Sequence, residues 1–362
     1  MELHNSAYDD DLVKAARRLT SHLSRPKLTV YWFDFLSTHS LGCIAFYFST
    51  ALRTPWSLRV LSFAACVVLW YRSLVFIHEV VHFRHRRMGV FSCCWNLLAG
   101  IPLLTPSFLY SVHLDHHSRT IYGSSEDGEY IPWGLKPPGH ILLFAMVSLG
   151  APILAVVRFL VVSPFCWISA GSRAWIEEHA SSMVINPRYR RRPRARERIR
   201  WLAQETCTFL WTSSVLVAGL SGLMSWRWPV TALVALMLIS FINSVRTMAS
   251  HRFVNAGQRM TYLDQIRDSV NHPAGGFLTE IWCPLGLRFH ALHHMLPFLP
   301  YHALPEAHRI LMRTLPSDSV YRSTNSSGLA STLRTLWLGR QSAKLPSSRL
   351  LPNSAVPKME WR

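Results

Sequence analysis

Three short windows of this chain concentrate histidine. The first reads Phe76-Ile77-His78-Glu79-Val80-Val81-His82-Phe83-Arg84-His85, the second His113-Leu114-Asp115-His116-His117, and the third His290-Ala291-Leu292-His293-His294. In a helix, positions i, i+4 and i+7 of the first window share one face, and each triplet spans about one turn. Neutral imidazole suits iron, copper, zinc and nickel, so the donor type alone leaves the metal open. The number of donors says more. Eight imidazoles (His78, His82, His113, His116, His117, His290, His293 and His294) exceed what one ion accepts and suit two, with positions left for oxygen. A redox-active pair accounts for such a set, and iron is the first expectation, because attack on an unactivated methylene needs an oxidant made from O2 at a metal.

Two other metal chemistries fit less of the sequence. His78-Glu79-Val80-Val81-His82 matches the zinc-protease signature, in which the glutamate is general base, but that reading leaves both His-x-x-His-His triplets without a purpose. Soluble di-iron carboxylate proteins need paired Glu-x-x-His motifs, and only Glu79 to His82 fits. The isolated histidines His4, His22, His39, His140, His179, His302 and His308 read as ordinary core or surface residues, and the seven cysteines show no paired spacing for a zinc site or disulfide framework.

The elements that must position these clusters are membrane elements. The chain has 362 residues, 49% of them hydrophobic, with a net charge of +18. The Lys and Arg residues sit in blocks beside apolar segments, as in the inner loops of membrane proteins, so anionic lipid and not nucleic acid is the expected partner. Apolar spans are expected at about 33–52 and 57–77, forming a hairpin around Arg53-Thr54-Pro55, and at about 205–224 and 228–247. The stretch 91–110 lies between two clusters that must meet, so it reads as re-entrant or interfacial. Residues 140–168 exceed one crossing without reaching two, and the arginine-rich run 188–200 places them as a dip from the inner side. The fold expectation is an all-α integral membrane protein with about four transmembrane helices, re-entrant or interfacial helices, and a cytoplasmic helical cap holding a His-ligated di-iron site. Residues 1–30 form a cytoplasmic N-terminal segment with a short amphipathic helix over 11–23, residues 31–315 the membrane domain, and 316–362 a mostly disordered tail.

The order His-x-x-x-His, His-x-x-His-His, His-x-x-His-His, with spans between the second and third, resembles the three histidine boxes of membrane fatty acid desaturases. The resemblance covers about 30–315 and looks closest to bacterial members, whose third-box region is similar to Leu285 to His290 and Tyr301 to Arg309. It implies that the eight box histidines are iron ligands, and that His251, after the last span, is a ninth. Some members carry an asparagine one turn before that histidine, where this chain has Thr247. His85 is an additional imidazole, favoured as a hydrogen-bond partner of a ligand, while Asp115, Glu79 and Asp268 are candidates for orienting ligand rings. His272-Pro273-Ala274-Gly275-Gly276 resembles a haem-binding motif but lacks room for the soluble domain that would carry it.

The resemblance further implies O2-dependent desaturation of a fatty acyl chain (free, or linked to coenzyme A, carrier protein or lipid), with an acyl hydroxylase or acetylenase as the alternative and a membrane zinc protease or metal transporter further off. Electrons then come from a separate ferredoxin or cytochrome, docking on a basic surface of Arg84, Arg86, Arg87 and the 188–200 run. The bacterial inner membrane, with the active site facing the cytoplasm, is the expected location.

Overall fold

A computed structural model describes residues 2–83, 88–191 and 197–339. Among these residues the chain is helical, with only isolated β-bridges. Glu2–Thr20 (α1) precedes two long helices, Leu28–Thr50 (α2) and Trp56–His82 (α3), joined at Pro55. The next apolar stretch is broken: Gly89–Trp95 (α4) runs into a π-helical turn, Asn96–Gly100, and then a 3-10 turn, Ser107–Tyr110, before the short helix His113–His116 (α5).

Residues 139–165 form Gly139–Ser148 (α6), Ala151–Val157 (α7), a π-helical turn and Ser163–Phe165 (α8), with a bend of 46° at Gly150. Ala170–His179 (α9) leads to a second long hairpin, Arg198–Leu220 (α10) and Arg227–Ser250 (α11). The rest is short helices: Tyr262–Asp268 (α12), Gly276–Trp282 (α13), His290–Met295 (α14), Leu304–Thr314 (α15), Val320–Ser323 (α16) and Leu329–Leu338 (α17).

Two helices, α3 and α11, are long and apolar enough to cross a membrane, and the bent 139–165 pair makes a third if it counts as one span. At 23 residues each, α2 and α10 have crossing length, about 35 Å, but polar residues such as Asp34 and His39 in α2 and Arg200, Gln204 and Glu205 in α10 interrupt their apolar runs. The two clear spans differ in setting. Of the most apolar window of α3, 56% is buried inside the protein, against 22% for α11. The central helix α3 is therefore surrounded by protein, and α11 offers most of its apolar surface to lipid. Exposed Phe33, Leu61, Leu143, Val147, Leu210 and Val217 extend the same outward apolar belt.

Both α3 and α11 end at histidines, His82 and His251, and the remaining clusters follow on short cap helices. Inside the membrane layer, Tyr31, Phe35, Phe76, Phe91 and Trp95 interlock around α3. In the cap, Leu12, Val13 and Ala16 of α1 pack with Leu292, Leu296 and Leu311. The amphipathic helix read at 11–23 thus exists within a longer one, and its apolar face covers the third histidine cluster.

The chain after 316 departs from the expected disordered tail: α16 and α17 are formed helices, and only 340–362 lie outside the described residues. The cause is buried Asn271. Its backbone N–H donates to Thr324 O at 2.9 Å, its side-chain amide donates to Thr324 Oγ1 at 2.9 Å, and its carbonyl accepts Ser326 N–H at 2.8 Å. Leu336 of α17 then packs with Trp133, Met248 and Phe253.

Arg158, in the π-helical turn of the bent 139–165 pair, is buried and paired. Its guanidinium meets the Glu205 carboxylate and donates to Ser163 Oγ at 2.7 Å, while Arg173 reaches the other Glu205 oxygen at 2.9 Å. Removing one partner of a buried pair strands the other charge. Glu205→Leu is expected to cost about 3–5 kcal/mol, read as a lowered midpoint in thermal unfolding of detergent-solubilised protein, whereas Glu126→Leu on the surface should leave the midpoint in place.

Candidate metal centre

The backbone brings all nine sequence-identified histidines together, in two groups that could each hold a metal ion: His78, His82, His113, His117 and His293 in one, His116, His251, His290 and His294 in the other. Within each group the donor atoms lie within 4.8 Å of one another. Each box therefore feeds both groups except the first, whose helix supplies His78 and His82 to the same one. Different local devices aim them. On α3 the i, i+4 spacing suffices. Before α14 the chain makes a tight corner in which Leu285 and Gly286 have positive φ, and a Cβ at Gly286 would sit 2.8 Å from the Tyr301 carbonyl oxygen. At the end of α11 the helix stops at Ser250, and His251 is extended (φ −137°, ψ 164°), bridged to Ser269.

The distances within the groups identify the nitrogen that faces the centre. His116 Nε2 lies 3.1 Å from His251 Nε2, His251 Nε2 2.9 Å from His290 Nε2, and His290 Nε2 3.0 Å from His294 Nε2. In the other group His113 and His117 approach at 3.0 Å, His117 and His293 at 3.2 Å, and His293 and His82 at 3.1 Å, again through Nε2.

The opposite ring nitrogens fix several tautomers. Asp127 accepts from His116 Nδ1 at 2.8 Å, and Glu129 from His113 Nδ1 at 3.0 Å. The Tyr122 hydroxyl donates to Asp268 at 2.8 Å, so its oxygen accepts from His251 Nδ1, also at 2.8 Å. With the proton on Nδ1, Nε2 carries a lone pair. With both Nε2 atoms unprotonated, the buried lone pairs of His116 and His251 face each other at hydrogen-bond distance, an arrangement made favourable by a shared metal ion, or by the proton that His116 holds more readily than an ordinary imidazole. For metal–nitrogen bonds of about 2.1 Å, donors at right angles are about 3.0 Å apart and tetrahedral donors about 3.4 Å. Five of the six separations lie nearer the right-angle value, and that between His117 and His293, 3.2 Å, lies midway.

Electrostatics agree with ligation. Burial first, and the neighbouring imidazoles after it, push His113, His117, His251, His290, His293 and His294 well below the usual histidine range. They stay neutral near pH 7, as a metal ligand must. His116 goes the other way: burial opposes its charge, but the carboxylates of Asp127, Glu129 and Asp268 outweigh that and raise it. Burial lifts Glu129 itself to about 7, with the His116 imidazole pulling down.

Of the carboxylates singled out from sequence, Asp268 acts on His251 through Tyr122. Glu79 lies 3.6 Å from His78 Nδ1, while its other oxygen accepts the Tyr31 hydroxyl and the Tyr301 N–H at 3.2 Å. A protease's general base would have to face metal-bound water, and this carboxylate is engaged on the Nδ1 side of the ring. Asp115 departs from expectation: on a four-residue helix it sits about 100° from His116, and its carboxylate takes the Tyr189 hydroxyl at 3.4 Å instead. Asp127 and Glu129 hold box two in its place. Their signal in the sequence was two acids in a polar loop a dozen residues past the box.

Thr247 donates to the Asn243 carbonyl at 2.9 Å, and His272 is a structural residue, its Nε2 2.9 Å from Ala249 O. His85, Arg84, Arg86 and Arg87 lie outside the described residues, as do 192–196 of the second basic run.

A cavity of about 160 Å³ opens onto the first group. His78 forms part of its wall, with Leu74, Val75, Leu109, Ala151, Leu236 and Ile239 making it largely apolar.

A family model described as fatty acid desaturase matches residues 54–325. Among curated proteins the chain is similar to a ceramide hydroxylase of Caulobacter vibrioides (strain NA1000 / CB15N), 34% identical over 337 residues that cover 92% of this chain and 95% of the relative.

Two groups of donors imply two metal ions per chain, measurable by inductively coupled plasma mass spectrometry on purified protein. Asp127→Asn should weaken retention of the second ion about 10- to 100-fold against a competing chelator, and His251→Ala should bring the content toward one. Equal loading in all three proteins would contradict the grouping.

Proposed function

The chain belongs to the fatty acid desaturase family of membrane oxidoreductases that act on lipids, and from that premise we propose that it hydroxylates an acyl chain of a ceramide-type lipid, with two iron ions held by His78, His82, His113, His117 and His293 and by His116, His251, His290 and His294. The observation that carries the reading is the pair of Nε2 clusters at right-angle spacing beside an apolar cavity. Desaturation, the expectation from the boxes, gives way to hydroxylation because the ceramide hydroxylase matches along nearly its whole length.

The reaction balances as one C–H bond broken and one C–O bond formed, with the second oxygen atom of O2 leaving as water and two electrons and two protons consumed. When bound, the iron pair supplies O2 reduction and the oxidant for the C–H bond. The protein does the rest. Leu74, Val75, Leu236 and Ile239 exclude water from the acyl chain and lay it against His78. Asp127, Glu129 and Tyr122 hold ring nitrogens so that lone pairs point inward. In this reading electrons come from a separate ferredoxin or cytochrome, and the arginine-rich run beginning at Arg188 supports a site on the cytoplasmic side of a bacterial inner membrane.

The donor set, nine imidazoles in two groups within a family of lipid oxidoreductases, supports a redox-active iron pair over a single zinc ion. It does not separate hydroxylation from desaturation, because both reactions use the same ligands and differ in where the substrate sits. Liquid chromatography with mass spectrometry of ceramides from ceramide-producing cells expressing the protein separates them by mass. Hydroxylation adds one oxygen, about 16 mass units; desaturation removes two hydrogens. The oxygenated species should vanish in His116→Ala/His117→Ala. An unsaturated ceramide in its place would return the reading to desaturation.

A further inference from the structure

Arg246 is a charge inside the membrane layer that the metal centre does not use. It lies on α11, a helix otherwise apolar enough to cross a membrane, and is only 8% exposed. Its Nε donates to Asn243 Oδ1 at 3.0 Å and one terminal nitrogen donates to Thr247 Oγ1 at 3.2 Å. The Tyr71 and Tyr110 hydroxyls lie beside the guanidinium. Among the described residues no carboxylate comes within ion-pair distance of it. A buried intramembrane arginine without a salt-bridge partner is expensive, and a fold retains one where it lines a pathway or a binding site.

Arg246 lines the same cavity as His78. The cavity has two characters: an apolar wall for methylenes, and a polar wall of Tyr71, Tyr110, Asn243 and Arg246. From Arg246 the helix runs four residues, about 6 Å of rise, to Ser250, and the next residue is His251. Arg246 acts electrostatically on His78, His251 and His290, so an oxygen atom bound at its guanidinium lies close to the metal centre.

We propose that Arg246, positioned by Asn243, binds the amide carbonyl and neighbouring hydroxyl oxygens of the lipid, and so sets oxidation at a carbon close to the polar linkage and not in mid-chain. This rests on the hydroxylase reading and deepens it. A guanidinium offers five donors in a fixed fork and no acceptor, so its ligand must supply oxygen lone pairs. The surroundings favour a neutral oxygen group over an anion: the carboxylate of Glu129 already acts on Arg246 electrostatically, and the other polar groups of this wall are hydroxyls and an amide. The amide and hydroxyls of a ceramide meet that demand, and a bare hydrocarbon chain does not.

The test uses the full-length, metal-loaded protein in nanodiscs with a radiolabelled short-chain ceramide as probe, beside product analysis in ceramide-producing cells. Arg246→Gln, on preparations with wild-type metal content, should bind the probe about 10- to 100-fold more weakly and spread the new hydroxyl over several carbons. Arg246→Lys keeps the charge without the fork and should recover part of the affinity but not the single position. Should Arg246→Gln fail to fold, Arg246→Lys and Asn243→Ala carry the test, each expected to loosen position at unchanged metal content. A merely structural arginine would lower yield without moving the hydroxyl. Unchanged affinity and unchanged position in the variants overturn the proposal. If wild type makes no hydroxylated ceramide yet binds the probe in an Arg246-dependent way, the hydroxylase reading falls and the anchor stands; a single hydroxyl position indifferent to residue 246 removes the anchor alone.

Discussion

Nine imidazoles gathered in two groups, eight of them with Nε2 atoms about 3 Å from a neighbour's, form a structure that repels itself unless cations sit among them, and most of what surrounds the centre can be understood as the means of holding that arrangement. Neutral rings at about 3 Å separation would relax apart if their opposite nitrogens were free. Three of them are held: Asp127, Glu129 and the Tyr122–Asp268 pair take the outward N–H of His116, His113 and His251, while Nδ1 of His78, His117, His290 and His293 is buried without a hydrogen-bond partner among the described residues. Those acids are themselves tied. Asp127 also accepts the Gly123 and Glu129 backbone N–H groups, each at 2.9 Å. The centre is thus fixed from the outside inward, by hydrogen bonds running toward backbone, as expected where metal ligands must be pre-aimed.

The membrane layer and the cap divide this work. Spanning helices give rigidity and an apolar cavity but can bring histidines to the centre only where they end, so α3 and α11 supply three ligands between them. The other six need chain that changes direction sharply, and they come from short helices entered through turns and positive-φ residues. Such chain has many backbone groups to satisfy, and the cap satisfies them with its own polar side chains. Asn271 is the clearest example: it donates to Thr324 while its Oδ1 accepts the Leu292 N–H of the third box helix at 3.2 Å. The C-terminal helices are part of the support of the metal centre for this reason.

The sequence made the ligands legible because each box is local. Spacings of three and four residues put imidazoles on one face whatever the rest of the chain does, and the hydrophobic spans are equally local signals. The supporting acids were hidden because their partners are remote. Glu129 is 16 residues from His113, and Asp268 is 146 from Tyr122. Asp115, chosen for being inside a box, pointed away for the same helical geometry that made the box recognisable. The order of residues 316–339 was hidden in another way: a stretch rich in Ser, Leu and Arg looks disordered until Asn271, half a hundred residues upstream, supplies the partners that its backbone needs. Arg246 was visible as a residue and invisible as a feature, since only the folded cavity shows that it shares a wall with His78.

That last point bears on how one ligand set can serve different reactions. Hydroxylation and desaturation begin at a C–H bond and diverge according to which second bond lies within reach, a matter of ångströms in substrate placement and not of donor identity. In an entirely apolar tunnel, placement is set by depth alone, and a chain can slide by one methylene at a cost of about 1 kcal/mol or less. A charged hydrogen bond at one end changes the scale, because a slip that breaks the lipid's bond to the guanidinium costs more than the slip of one methylene alone. The apolar wall then decides that a lipid chain binds, and the polar wall decides which carbon meets the oxidant.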